Sequence, residues 1–298
     1  MGRQNFDGLN NTAYVGFKFT GNIGYVRIEG FEIYGMGNGG SGGASGVELY
    51  AGGADSEVVG NNIHDIGRMC TDTGNGQDGI FVQRPRVLIE GNLIHDIGRF
   101  SPGESGCSPA RPYYQNHDHG IYADGDAPGA NQLTIRNNIF YSNVHGWSIH
   151  LYPGSLSDVS IFNNTFAFGN PYRSFSHIIF AAALTNLSVK NNLFYDTGIT
   201  GKAIDSYNAS HRNTVVSSNL TRGNGMLTIA IPSGVTLSSN MLLTDALFVS
   251  PGTFDFHLTG GSPALNTGLT IPSLTRDFAG VARPQGAGYD LGACELVP

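Results

Sequence analysis

Val58-Val-Gly-Asn-Asn-Ile-His64, Ile89-Glu-Gly-Asn-Leu-Ile-His95 and Ile135-Arg-Asn-Asn-Ile-Phe-Tyr141 are copies of one phrase, and that phrase decides the fold. It returns as Ile161-Phe-Asn-Asn-Thr-Phe166 and Val189-Lys-Asn-Asn-Leu-Phe-Tyr195, is preceded by Ile28-Glu-Gly-Phe-Glu-Ile-Tyr34, and fades around Asn219 and Asn240. The Asn three residues after each leading Ile or Val falls at Asn61, Asn92, Asn138, Asn164, Asn192, Asn219 and Asn240. The gaps are 31, 46, 26, 28, 27 and 21 residues. A period of this size marks a solenoid. Each copy alternates apolar and polar residues briefly, is rich in β-branched residues and turns at Asn or Gly, as short strands do.

A second strand precedes most copies: Gly46-Val-Glu-Leu-Tyr50, Gly79-Ile-Phe-Val-Gln83, Gly120-Ile-Tyr-Ala-Asp124, Ser148-Ile-His-Leu-Tyr152 and His177-Ile-Ile-Phe-Ala181. Two or three strands per coil predict an all-β, right-handed parallel β-helix. Coils stacked about 4.8 Å apart turn equivalent residues into ladders. The Asn column then reads as an inward ladder that bonds backbone groups of its own and adjacent coils and takes the left-handed conformation of the corner. Ile63, Ile94, Phe140, Phe166 and Phe194, two residues on, read as a stacked apolar core.

The unbroken repeat argues for one domain over residues 1–298, with repeats over about 25–245 and a closing segment over about 246–298 that covers the open end of the stack. Gly at 43 of 298 residues fits many tight corners. Formal net charge is −7 with only three lysines, Lys18, Lys190 and Lys202, which argues against nucleic acid as a partner. No stretch of about 18 apolar residues is present to span a membrane. Met1-Gly2 leads almost at once into the repeats with no signal peptide, so a further capping segment is expected ahead of it. Cys70 follows His64-Asp-Ile-Gly-Arg68, and Cys107 follows the identical His95-Asp-Ile-Gly-Arg99 one coil later. A disulfide between those loops is expected, with Cys294 free, and with it an oxidising, extracytoplasmic compartment.

These Asn phrases resemble the right-handed parallel β-helix repeat proteins of the pectate-lyase-like superfamily. The tail, Asp255-Phe-His-Leu-Thr-Gly-Gly-Ser-Pro-Ala-Leu-Asn266 with Asp277-Phe-Ala-Gly-Val-Ala-Arg-Pro-Gln285 and Tyr289-Asp-Leu-Gly-Ala-Cys-Glu295, is similar to the C-terminal segment common in secreted bacterial β-helix proteins. It departs at Asn266, where Asp is commoner, and at Cys294, where an aromatic is commoner. The resemblance implies a fold and a carbohydrate setting and leaves the activity open.

Chemistry is expected where the repeat is interrupted, because an insertion must loop out of the stack. The 46-residue gap contains a segment from about residue 99 to residue 118 with Arg111, Tyr113, Tyr114 and His117, which feeds His119-Gly-Ile-Tyr-Ala-Asp124. If Ile121 and Ala123 point inward, Tyr122 and Asp124 point outward beside Phe81, Gln83, His150 and Tyr152, with Glu48 and Tyr50 one coil earlier. Such a strip suits an extended polysaccharide, which stacks on Tyr and Phe and hydrogen-bonds to His, Asp and Gln. Lyase or epimerase chemistry on a uronate needs a base and a group that stabilises the developing charge. His117, His119 and Tyr122 are the candidate bases, with His150 beside them, and Arg84 and Arg111 the candidate neutralisers. Asp118, Asp124 and Asp126 are candidate calcium ligands or, more plainly, turn-forming residues. His64 and His95 share a coil position with Tyr34, Tyr141 and Tyr195, which reads as a structural ladder.

The leading expectation is a secreted polysaccharide lyase acting on a uronate polymer. A uronate epimerase shares its first step, and a glycoside hydrolase would take two of the three Asp carboxylates. The paired-Asp and Gly-His-Gly motifs of polygalacturonase-like β-helix hydrolases are not evident. A non-catalytic carbohydrate-binding or adhesive module is the other class, favoured by the absence of Lys from the strip.

Overall fold

Short apolar runs broken by residues that accept left-handed backbone can only stack, and in the computed structural model they stack as three parallel sheets. It describes residues 4–7, 14–37, 43–70, 75–110, 117–143, 145–169, 176–196, 201–207, 210–227 and 231–297. Each coil runs through sheet 2, sheet 3, the Asn corner and sheet 1. Sheet 2 includes Ala44–Leu49, Gln77–Val82, Asp118–Gly125, Ile149–Ser157 and Ile178–Phe180. Sheet 3 includes Glu57–Val59, Leu88–Glu90, Thr134–Arg136 and Ser160–Phe162, and sheet 1 includes Asn62–Ile66, Leu93–Ile97, Ile139–Tyr141 and Thr165–Ala167. Each strand pairs in parallel with its equivalents in neighbouring coils: Val58 faces Ile89, Ile89 faces Ile135, and Ile135 faces Ile161. The recurring phrase is thus a sheet 3 strand, a corner and a sheet 1 strand.

Apolar residues point inward from every strand and stack in columns, two of them from sheet 2, the second being Leu49, Val82, Ala123, Leu151 and Phe180. Val47, Ile80, Ile121, Ile149, Ile178 and Ile204 come from sheet 2, Val58 to Val189 from sheet 3, and Ile63, Ile94, Phe140, Phe166 and Phe194 from sheet 1; all are fully buried. Phe140, Phe166 and Phe194 stack ring on ring with centroids 4.9 Å apart. A glycine column, Gly46, Gly79 and Gly120, opens sheet 2. A Cβ there would lie 2.6–2.7 Å from the carbonyl oxygen of the next coil, which only glycine avoids.

The Asn ladder is inside, as expected. Each side-chain amide donates to the side-chain oxygen of the next Asn at 2.9–3.0 Å, from Asn61 through Asn92, Asn138, Asn164, Asn192 and Asn219 to Asn240. The same oxygen accepts the backbone N–H of the preceding Asn, and each amide also reaches a sheet 3 carbonyl, as Asn138 does to Ile89 at 2.9 Å. One detail of the expectation is corrected. The left-handed corner residue is the one before the ladder Asn: Gly60, Gly91, Asn137, Asn163, Asn191 and Ser218, with φ between 50° and 64°. The pair Asn-Asn therefore divides its work, one residue turning the chain and the next satisfying it. Asn138→Ala leaves a backbone N–H and a carbonyl buried without partners, and the expected loss is about 1–3 kcal/mol. Chemical denaturation of Asn138→Ala beside Thr270→Ala, at an exposed loop residue, measures it.

Cys70 and Cys107 are bonded, with Cα atoms 5.4 Å apart, and Cys294 is free and buried. Unreduced protein in denaturant is expected to titrate a single thiol. In the folded protein that thiol is silent, because burial pushes Cys294 up to about 12.

The tail lies elsewhere than expected. Residues 246–295 pack Ala246, Phe248, Phe256, Leu258, Leu291 and Ala293 against the outward-facing Ile139, Tyr141, Ala167, Leu193 and Leu220 of sheet 1, along the flank of the stack. The corner Asn residues hold it: Asn137 donates to Arg276 O at 2.6 Å, Asn163 to Asp290 O at 3.0 Å and Asn191 to Leu269 O at 2.8 Å. A side chain selected for a left-handed corner also carries an amide that faces outward, and the tail uses it. Arg283, fully buried, closes this region by pairing with Glu295 and donating to Asn137 Oδ1 at 3.2 Å.

Candidate functional site

Outward residues of sheet 2 alternate with the buried columns, so consecutive coils set Glu48, Phe81, Tyr122 and His150 in one row. A parallel row, two residues before the inward Ile, contains Ser45, Asp78 and His119. The two rows floor a groove of about 760 Å³. Its rim carries Tyr50, Tyr152 and Tyr207, which are about half exposed or more. Phe81 stacks on Tyr122 at 5.2 Å, Tyr152 on His150 at 5.4 Å, and Tyr50 meets Phe81 edge-on at 5.8 Å. Trp147 closes one side, and its indole N–H is held by Asp205, whose carboxylate also accepts the Ser176 N–H at 3.0 Å.

The two central histidines have determined tautomers. The backbone N–H of Trp147 can only donate, and it donates to His119 Nδ1 at 3.3 Å. Neutral His119 therefore carries its proton on Nε2, which lies 2.9 Å from His150 Nδ1. Neutral His150 then carries its proton on Nε2, the nitrogen left for the groove. Both rings are neutral near pH 7, since burial holds His119 well below the ordinary histidine range and His150 down to about 3. Neither ring offers a lone pair to a substrate. His119, a candidate base on sequence grounds, instead orients His150.

The Tyr122 phenol and the Asp78 carboxyl are both displaced toward their protonated forms. Burial is the main cause of the upward displacement of the Tyr122 phenol, reinforced next by the Asp124 carboxylate. Asp78 is 7% exposed and lines the groove, and its buried Oδ1 has no hydrogen-bond partner among the described residues. Desolvation first, then the charges of Asp118 and Glu48, raises its carboxyl well above the usual range. Reading from the sequence missed Asp78, Trp147 and Tyr207. The signal was present, because Asp78-Gly-Ile-Phe81 aligns with His119-Gly-Ile-Tyr122 once the glycines are stacked.

The other candidates disperse. His117 and Glu48 line the groove, Glu48 bound to Lys18 at 2.8 Å, so a lysine does stand beside the strip, one coil earlier. Arg84, Gln83, Asp124 and Asp126 lie outside the groove lining. Gln83 hydrogen-bonds to the Asp124 carboxylate, which also accepts the Asp126 N–H at 2.7 Å, the bond of an Asp turn. Asp118 is corrected as a metal candidate: it is fully buried, paired with Arg99 and accepting the Arg99 N–H at 2.9 Å. Among the described residues no three His, Cys, Asp or Glu side chains gather to hold a metal. Arg111, Tyr113 and Tyr114 lie outside the described residues.

His64 and His95 belong to sheet 1. They stack in a ladder of Tyr34, His64, His95 and Tyr141 at 5.2, 4.9 and 4.4 Å, each bound through Nδ1 to the adjacent Asp65 or Asp96. That is the structural column the spacing implied.

No family model and no curated protein matches the chain. Among solved structures it is similar to the crystal structure of pectate lyase Pel9A, with a TM-score of 0.46 and 14% identity over 94% of this chain and 73% of that one. The likeness concerns the fold. No helix among the described residues is long and apolar enough to cross a membrane.

Proposed function

We propose that the protein is a secreted polysaccharide lyase that binds an extended uronate-containing chain along the sheet 2 groove and cleaves it by β-elimination. The observation that carries this reading is the set of neutral proton donors, the Tyr122 hydroxyl, His150 Nε2–H and the Asp78 carboxyl, packed between aromatic platforms in one desolvated floor. Removing the proton α to a carboxylate builds negative charge on that group, and fixed donors in a dry site stabilise it without reorganising. A protonated buried carboxyl is a donor of this kind. The oxocarbenium-like state of glycoside hydrolysis is positive and would gain little from such a cluster.

In this reading Tyr50, Phe81 and Tyr152 stack on sugar faces and His117, at the groove edge, takes the α proton. The electron pair forms the new double bond, the C–O bond to the next sugar breaks, and Tyr122 gives its proton to the departing oxygen. His150 donates to the developing charge, oriented by His119. An epimerase would use the same abstraction and return the proton to the opposite face.

The test is incubation with a panel of galacturonate, mannuronate and glucuronate polymers. Ultraviolet absorbance from an unsaturated product supports elimination. New reducing ends without that absorbance support hydrolysis, and retention on the polymer with neither supports a binding module. All three negative outcomes on every polymer would remove the carbohydrate reading altogether.

A further inference from the structure

The geometry points to Asp78 as the residue that receives the carboxylate of the central sugar, as a neutral acid hydrogen-bonded to an anion, making this groove selective for acidic over uncharged polymers. The inference rests on the elimination reading above and assigns it a residue. Asp78 sits between Ser45 and His119 on the floor and lines the groove, and its Oδ1 is buried with no hydrogen-bond partner among the described residues. An orphaned buried polar atom costs free energy, and it is tolerated where a ligand completes it. The neighbours on that floor, the Ser45 hydroxyl, the Tyr122 phenol and His150 Nε2–H, are donors, so the gap they leave suits an acceptor.

The groups facing Asp78 leave it neutral. Glu48, on the preceding coil, is bound to Lys18, and Asp118, on the following coil, is bound to Arg99, so neither cation is directed at Asp78. His119 and His150 are uncharged, and Tyr122 is protonated. His117 is the remaining titratable side chain at the groove edge. A protonated Asp78 accepts an anionic partner without repulsion, and binding in turn holds its proton more firmly. The consequence is linked proton uptake: above the free-state pKa of Asp78, affinity for an acidic oligosaccharide falls up to tenfold per pH unit.

The experiment is titration calorimetry on the Tyr122→Phe protein, expected to bind without turning over, and on its Asp78→Asn and Asp78→Ala derivatives. The probes are oligosaccharides of galacturonate, mannuronate and glucuronate and their carboxyl-reduced counterparts. The expected result is a preference for the acidic probe, proton uptake on binding it that sets in as pH rises through the free-state pKa of Asp78, and none for the reduced probe. Asp78→Asn keeps an N–H donor, so it retains most of the preference and loses the proton uptake; Asp78→Ala loses both. Equal affinity for acidic and reduced probes, or the same pH profile in the parent and in Asp78→Asn, overturns the proposal while the groove stands. Absence of binding by any probe overturns both. Failure of elimination alone shows separately, as no unsaturated product from the unmodified protein.

Discussion

Tyr122→Phe is expected to lower elimination turnover by about 10²- to 10⁴-fold, the range for removal of a positioned proton donor, with almost no change in the unfolding transition. The ring keeps its stacking on Phe81 and its edge contact with His150, so packing is preserved. What is lost is the proton for the departing oxygen. Burial and the nearby carboxylates keep the phenol protonated well into alkaline solution, so turnover should show no loss from Tyr122 ionisation near neutral pH. His64→Ala and His95→Ala provide the contrast. Both remove a ring from the sheet 1 stack, outside the groove lining, and should alter the denaturation midpoint with turnover per folded molecule unchanged. Initial rates and denaturation curves on the same preparations decide it. A fully active Tyr122→Phe would transfer the acid role to another donor on the floor.

Arg99→Ala is expected to cost about 3–5 kcal/mol, because it leaves the Asp118 carboxylate buried with its charge uncompensated. Arg99 opens the insertion in the long gap and Asp118 ends it, so their ion pair clasps the loop at its base while the Cys70–Cys107 bond holds it partway along. Arg99 also donates to Asn75 O, at the groove edge. The loss should therefore appear in the denaturation midpoint and also in polymer affinity, since the insertion borders the groove. Burial pushes the Asp118 carboxyl up and the guanidinium opposes it. Without Arg99 the group is displaced further upward. It binds its proton more tightly folded than unfolded, so the variant's deficit should be small in acid, below the ordinary carboxylate pKa, and grow as pH rises through the raised folded value. Arg86→Ala, which breaks the exposed pair with Asp55, should leave stability nearly unchanged, since water screens both charges. A loss in Arg99→Ala no larger than that in Arg86→Ala would refute the clasp.

Asp78 shows why the candidate site was only half legible. Phe81 and Tyr122 were read as facing outward in one row, as they do, because period-two alternation determines which strand residues face outward. Asp78 itself stands where strand and turn meet, and single-sequence reading gives an Asp-Gly there to a turn. Only the stacking of Asp78 on Ser45 and His119 brings it onto the groove floor. The same stacking removed Asp118 from the candidate metal ligands, because Arg99, 19 residues earlier, reaches it inside the coil.

The repeat by itself determined the stacked coils, the buried Asn ladder, the Ile and Phe columns and the outward row through Tyr122 and His150. These follow from local rules repeated at a constant interval: alternation across a strand, an amide that can bridge coils, and a corner residue that accepts positive φ. Tertiary structure alone decided the rest. The proton positions on His119 and His150 depend on a backbone N–H from Trp147, one coil on, and the upward displacement of the Asp78 carboxyl depends on desolvation by its surroundings. The tail lies on the flank of sheet 1 because Asn137, Asn163 and Asn191 direct amides outward and Ile139, Leu193 and Leu220 offer an apolar face. Electrostatic environment and long-range docking depend on distances between residues remote in the chain, and no local pattern encodes them.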